Sequence, residues 1–498
     1  MIRAFNTRLV MRTMGALLLI ESLFMALATV ISWCYAEPDD GAFMVSTLLT
    51  LVVGVICLLI GRHAERHVGE REGYVIVALV WVVFSLFGML PYYLSGQIDN
   101  ITDAWFETMS GFTTTGATIL TDIEALTHGA LFWRSLTQWI GGMGIIVLCI
   151  AILPMFGLGG MQLYAAEVTG VSYEKLSPRI ADTAKHLWVT YILLTILEVL
   201  LLWAEGMPLF DSICHSFSTI ATGGFSTKNL NMAYYINPAI HYTVAFFMLL
   251  SGINFGLIIM LFHRKPQRLL HDEETHWYLS AVGVVTLVIT IGLMVNTLQV
   301  PSDVPLSARL FFADLEECFR NALFTTVATI TSSGFSTCDY MQWAPFLWVL
   351  VFLMMVPGGS SGSTAGGVKW VRIAIFVKSG LTEFKRRIHP NAIVPVKINN
   401  KPITQQTTNN VMAFMMFFVI ILAATTLIFC ALGVDFDESI GTAVASIGNI
   451  GPGIGQYGPS GTYALFPTAG KWVMTIVMLI GRLEIFTVLL LFTRALWK

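Results

Sequence analysis

Long apolar stretches alternate with short polar ones along all 498 residues. Ten of them reach the roughly 20 residues a helix needs to cross the hydrocarbon core: about 14–33, 44–61, 75–94, 131–155, 187–204, 240–262, 278–297, 345–378, 409–433 and 470–494. The second follows the first too closely, and no small-residue cleavage site separates them, so the first reads as a retained signal-anchor helix. After the third, fifth, seventh and ninth stretches comes an apolar segment too short to cross. These read WFETMSGFTTTGAT, ICHSFSTIATGGFST, ALFTTVATITSSGFST and SIGTAVASIGNIGPG. Half-length apolar segments of this kind suggest re-entrant loops.

Superposed on Gly116, Gly224, Gly334 and Gly451, the four segments share a register. Thirteen residues upstream stand Asp103, Asp211, Asn321 and Glu438, and four upstream stand Phe112, Ile220, Ile330 and Ile447. Asp and Asn favour helix N-caps and an acid suits the positive end of a helix dipole, so a capped pore helix followed by a glycine-bearing strand is expected. Amphipathic loops lying on the membrane surface could carry the same signals. The expected fold is an all-α polytopic membrane protein: two N-terminal helices (1–70), then four helix–pore loop–helix repeats (71–186, 187–277, 278–408 with a broken second helix, and 409–498). All four repeats share one orientation, which permits a pseudo-fourfold ring and separates them from inverted transporter repeats.

Four such loops suit a potassium filter, which replaces the hydration shell by rings of backbone carbonyls. Adjacent carbonyls face one way only where some residues take positive φ, which glycine does at little steric cost. Candidate filter residues are Thr114, Thr115 and Gly116; Thr222, Gly223 and Gly224; Ser332, Ser333 and Gly334; and Asn449, Ile450 and Gly451. None is charged, which fits K⁺ as the bound and transported ion better than Ca²⁺ or Na⁺.

Composition agrees: 55% of residues are hydrophobic, 12% are charged, and mean hydropathy is +0.72. Basic residues accumulate in cytoplasmic loops. Placing both termini in the cytoplasm puts 22 of the 28 on that face, including Arg3, Arg66, Lys175, Arg179, Arg264, Lys265, Lys369, Arg372 and Lys498. Of the remaining six, Arg134, Lys228, Arg309, Arg320, Lys471 and Arg482, most are expected in acid-rich outer loops. Seven scattered cysteines lack CxxC or metal-ligand spacing and receive no role.

The longest apolar stretch is interrupted by Pro357, Gly358, Gly359, Ser360, Ser361, Gly362, Ser363, Thr364, Ala365, Gly366 and Gly367, a run unsuited to a helix interior. A gating loop beneath the filter is expected, with close packing of helices through small residues as the alternative. Gly362 and Gly367 have phosphate-loop separation, but Val368 stands where Lys would follow. Arg482 lies in an apolar stretch at similar depth and is expected to face the cavity near this loop, unless it only pairs with Glu484. Glu21 and Glu198 also lie at membrane depth, and His215 reads as a packing residue.

The loops TTTGAT, ATGGFS, SSGFS and GNIGPG, with PGGSSGSTAGGVK, resemble the Trk/Ktr/HKT superfamily of potassium transporters, nearest its TrkH/TrkG type, over essentially the whole chain. That resemblance implies K⁺ selectivity from glycine at position 116, a homodimer, and a TrkA-like cytoplasmic nucleotide-binding regulatory subunit. It also implies the bacterial inner membrane. The largest cytoplasmic loops, near 156–186 and 379–408, are too short for a nucleotide-binding domain of their own. Lys385–Arg387 could dock such a partner. A K⁺/H⁺ or K⁺/Na⁺ symporter is the rival transport reading. No HExxH or Walker motif points to an enzyme, no covalently bound cofactor is expected, and nothing points to nucleic acid.

Overall fold

The structure, a computed structural model, describes residues 5–64, 69–144, 180–262, 266–298, 313–390 and 394–497. Residues 145–155 of the fourth apolar stretch, most of the loop near 156–186, Cys149, and Arg3, Arg66, Lys175, Arg179, Arg264, Lys265, Arg309 and Lys498 lie outside these ranges.

Helices α1 (Thr7–Cys34) and α2 (Asp40–Ile60) form a close hairpin. They cross where a Cβ on Gly15 would come within 2.7 Å of Gly54 O. The first repeat follows as α3 (Glu70–Gly88), α4 (Leu90–Leu94), pore helix α5 (Ile101–Phe112) and α6 (His128–Gly142). The second comprises α7 (Ile180–Ala204), pore helix α8 (Leu209–Ile220), α9 (Pro238–Ser251) and α10 (Phe255–Phe262), followed by the short α11 (Pro266–Leu270). The third is α12 (Glu273–Leu298), pore helix α13 (Ala313–Ile330), α14 (Pro345–Met354) and α15 (Trp370–Ile388). A two-residue antiparallel pair, β1 (Lys397–Ile398) with β2 (Lys401–Pro402), leads into the fourth. That repeat is α16 (Gln405–Ala431), pore helix α17 (Phe436–Gly448), α18 (Thr468–Arg482) and α19 (Phe486–Leu491), before α20 (Arg494–Trp497).

Among the described residues, six of the ten apolar stretches are helices long enough to span: Thr7–Cys34, Asp40–Ile60, Arg71–Leu94, Ala184–Ala204, Glu273–Val295 and Gln405–Ala431. The other four are the second helices of the repeats, and here the structure corrects the sequence reading, which expected a break in the third alone. In the second repeat α9 and α10 meet at 105°. Asn254 turns the chain there by accepting from Gly256 N at 2.8 Å. In the fourth, Glu484 and Ile485 take φ of 55° and 36° and stop α18. In the first, α6 ends just before Gly144, at φ 70°. Non-helical backbone at this depth is tolerated where protein surrounds it or a watery cavity faces it.

The shared residue thirteen positions before each glycine is not the cap. Asn100 caps α5, accepting from Thr102 N at 2.9 Å, and α17 starts after Asp435. Asp103, Asp211 and Glu438 sit in first turns, where the dipole favours them, and Asn321 lies inside the longer α13. Their common register has another cause. Asp211 accepts from Thr227 Oγ1 at 2.7 Å and Asn321 from Thr337 Oγ1 at 3.1 Å, so each ties a pore helix to the strand leaving its loop.

Several charge placements also change. Arg134 and Lys471 are buried in helices, not in outer loops. Lys369 and Arg372 are buried rather than lying in a cytoplasmic loop. The first third of the 379–408 segment is the end of α15.

Candidate selectivity filter and gate

Each pore helix ends the same way. The residue two before the shared glycine turns left-handed: Thr114, Thr222, Ser332 and Asn449 have φ of 52°, 54°, 54° and 53°. The next N–H then reaches back to the helix, from Thr115 to Ser110 O at 2.9 Å, Gly223 to Ser218 O at 2.8 Å, Ser333 to Ala328 O at 2.8 Å, and Ile450 to Ala445 O at 3.0 Å. This is the Schellman pattern of helix termination, whose left-handed position is usually glycine. Here it is Thr, Thr, Ser and Asn, a strained choice for all but Asn. The shared glycine then takes positive φ as well, 80° at Gly116, 79° at Gly224, 73° at Gly334 and 93° at Gly451. Two residues of positive φ flank one without it in every loop.

The four loops close into a ring. A Cβ on Gly116 would overlap Gly223 O, one on Gly224 would overlap Ser333 O, and one on Gly334 would overlap Ile450 O. Completing the circle, a Cβ on Gly451 would lie 2.6 Å from Thr115 O. Each repeat's glycine therefore abuts the residue before the next repeat's glycine, in the order one, two, three, four, one. Glycine is required twice over, by φ and by this close approach. Eight of the twelve residues expected to form the filter make these contacts, and the other four are the left-handed residues just before them. Asn449 adds a cross-link, donating to Thr115 Oγ1 at 3.0 Å and Met478 O at 2.9 Å.

The ring is braced from behind. Glu107 of α5 accepts from Arg134 Nε at 2.7 Å, from Thr118 Oγ1 at 3.0 Å and from Ile119 N at 3.0 Å. Arg134 also donates to Ser226 O at 2.9 Å and lies 3.5 Å over the Phe225 ring. His215 is fully buried, with Nδ1 against Asp211 O at 2.8 Å and Nε2 against Ser226 Oγ at 3.0 Å, so it packs and also hydrogen-bonds. Glu21 and Glu198 are buried too. Among the described residues no cluster of three or more His, Cys, Asp or Glu is placed to hold a metal ion.

Beneath the ring lies the loop between α14 and α15. Its ends are pinned together, Gly358 N donating to Val368 O at 2.9 Å and Val368 N to Val356 O at 3.1 Å. Glu274 of α12 accepts from Ser361 N at 2.6 Å and from Val371 N at 3.1 Å. Between these pins the loop touches the undersides of three pore loops. Thr364 Oγ1 donates to Ile220 O at 3.0 Å, Gly366 N donates to Ser332 Oγ at 2.6 Å, and a Cβ on Gly366 would overlap Gly448 O. The first repeat is reached through Arg482, which donates to Thr364 O and to both Gly141 O and Gly142 O, each at 2.7 Å. Glu484 pairs with Arg372, which lies 4.1 Å over the Phe414 ring. Lys369 Nζ donates to Ala365 O.

With this geometry in place, the family model described as TrkH, cation transport protein, matches residues 41–498. The chain belongs to the TrkH family of cation transport proteins. Among its TrkH relatives are the Trk system potassium uptake proteins TrkH of Salmonella typhimurium strain LT2, 37% identical over 99% of both chains, and of Halomonas elongata, 38% identical over 99% of this chain and all of that one. The potassium uptake protein TrkG of Escherichia coli K12 is 33% identical over 99% of both. The crystal structure of the potassium transporter TrkH from Vibrio parahaemolyticus superposes with a TM-score of 0.87 at 34% identity, covering 99% of this chain and all of that chain.

Sequence reasoning missed Glu107, Arg134, Gln138 and Glu274 as members of the site. A signal existed for two of them. Arg134 and Gln138 are four residues apart, on one face of an otherwise apolar helix, where polar groups are costly and by default functional.

Proposed function

We propose that this chain is the ion-conducting subunit of a bacterial potassium uptake system, passing K⁺ across the cytoplasmic membrane through the ring of four loops. The observation that carries the reading is ring closure: four uncharged loops, each with two left-handed residues, pack head to tail around one axis. Backbone whose φ alternates in sign can turn successive carbonyls the same way, which is what a desolvated K⁺ requires. Relatives similar over the whole chain are named potassium uptake proteins. The loop at 357–369 acts as the gate. It lies across the exit from the ring, and Arg482 holds it there while placing positive charge in the cation path.

Both termini face the cytoplasm in this proposal, in keeping with the basic residues concentrated on that side. The working form is a homodimer with a separate nucleotide-binding regulatory subunit. The exposed Lys385 and Arg387 at the end of α15 offer that subunit a basic docking edge.

The test is K⁺ and Na⁺ flux into liposomes containing the purified chain, wild type against Gly116→Ser. The serine Cβ must displace Gly223 O, so K⁺ preference is expected to relax in the variant. Uptake that depends on a proton or sodium gradient, or that ignores the substitution, would transfer the reading to a symporter.

A further inference from the structure

The second helices of the repeats can be compared by counting from their first residues, His128, Pro238, Pro345 and Thr468. The seventh positions are Arg134, Val244, Val351 and Met474, and the eleventh are Gln138, Met248, Met355 and Met478. All eight side chains are buried. Three repeats thus present an apolar pair, and the first presents Arg and Gln at the same two places.

The packing shows what the exchange does. Met355 of the third repeat and Ile450, the residue before the fourth filter glycine, line one small cavity together with Gly334. Gln138 occupies the equivalent place between the first and second repeats, but bonds instead of merely filling. Its Nε2 donates to Gly223 O at 2.7 Å and its Oε1 accepts from Phe225 N at 3.1 Å. The carbonyl needs a donor and the N–H an acceptor, so only one orientation of the amide satisfies both. The two bonds straddle Gly224. One turn earlier, Arg134 holds Ser226 O, so one helix face grips three main-chain atoms of the neighbouring strand.

Gly223 belongs to the same device. The residue before the filter glycine is Thr115, Gly223, Ser333 or Ile450, and only the second repeat has glycine there. Gly223 is not among the positive-φ residues. Its missing side chain is required instead by the amide, because a Cβ there would overlap Gln138.

We infer that Gln138 is a positioning residue for ion selection: its amide locks the second-repeat strand of the filter, and the double glycine of ATGGFS exists to admit it. The contact between the first and second repeats is therefore held by directional bonds from a helix position that carries methionine in the other three repeats. This inference rests on reading the ring as a K⁺ filter.

The experiment measures K⁺ and Na⁺ flux in the same liposomes for wild type, Gln138→Met, Gly223→Ala and the double variant, with a melting curve for each. Gln138→Met gives the first repeat the side chain the other three already carry, so it should fold. Losing both hydrogen bonds should lower the K⁺ over Na⁺ ratio by about tenfold, equivalent to about 1.4 kcal/mol. Gly223→Ala should lose flux, and Gln138→Met should restore it in the double variant. An unchanged ion ratio in Gln138→Met, failure of that variant to fold, or equal inactivity of Gly223→Ala in both backgrounds would overturn the inference. A wild type without K⁺ preference would overturn the filter reading itself. A selective wild type with an equally selective Gln138→Met would remove the clamp alone.

Discussion

Arg482 donates a hydrogen bond of 2.7 Å to the carbonyl of Thr364, 118 residues away, and so ties the end of one broken helix to the loop that breaks another. The same guanidinium holds Gly141 O and Gly142 O where α6 stops. One cation thereby binds a loop carbonyl together with two of the last carbonyls of α6, which helix termination leaves without intrahelical partners. The broken ends are stable as a group because they share this donor.

Removing that donor should free the loop without touching the ring. Arg482→Ala is expected to raise unstimulated K⁺ flux several-fold while leaving the K⁺ over Na⁺ ratio unchanged. Arg482→Lys, a point charge without the planar fork, should fall between the two. Rubidium uptake into liposomes measures the first effect, and competition by Na⁺ measures the second. A changed ion ratio with normal basal flux would place Arg482 in selection rather than gating.

Glycine-to-alanine substitutions should sort by location. At Gly334 and Gly451 the added Cβ meets both a left-handed φ and a neighbouring carbonyl. The φ alone costs about 1–2 kcal/mol and the close approach adds to it, so flux should drop more than tenfold. Gly283 in α12 and Gly380 in α15 have nothing within 4 Å of the added carbon. There alanine should stabilise the helix by about 0.5–1 kcal/mol and leave flux unchanged. Tolerance at Gly334 would mean that the repeats do not touch as described.

Glu107 and Arg134 are buried with 0% and 2% of their side chains exposed. Replacing one leaves the other charge without its counterion, a loss of about 3–5 kcal/mol for a buried pair. Glu107→Gln and Arg134→Met should therefore each lower the melting temperature in detergent, and the double variant should recover a substantial part of the loss. Additive losses would show that the two groups act separately.

The order of residues alone determined a great deal: ten apolar stretches, four loops in register, glycine at the left-handed positions 116, 224, 334 and 451, and a break at 357–367. These features are legible because each is local. A bilayer demands a certain length of apolar chain, and glycine takes positive φ at little steric cost, whatever lies nearby. The tertiary structure alone decided what each of those positions faces. Nothing near Gly116 in the chain announces that Gly223 O will crowd it, nor does the sequence around Glu484 announce Arg372. The breaks in α6, α9 and α18 were equally hidden. Each rests on a few residues, such as Asn254 or Glu484, whose departure from the helix is favourable only once protein from other repeats bonds the freed backbone. Contacts across a hundred or more residues leave no periodic trace. A buried Arg134 or Gln138 looks like an anomaly in the sequence until folding brings it to Glu107, Gly223 and Phe225.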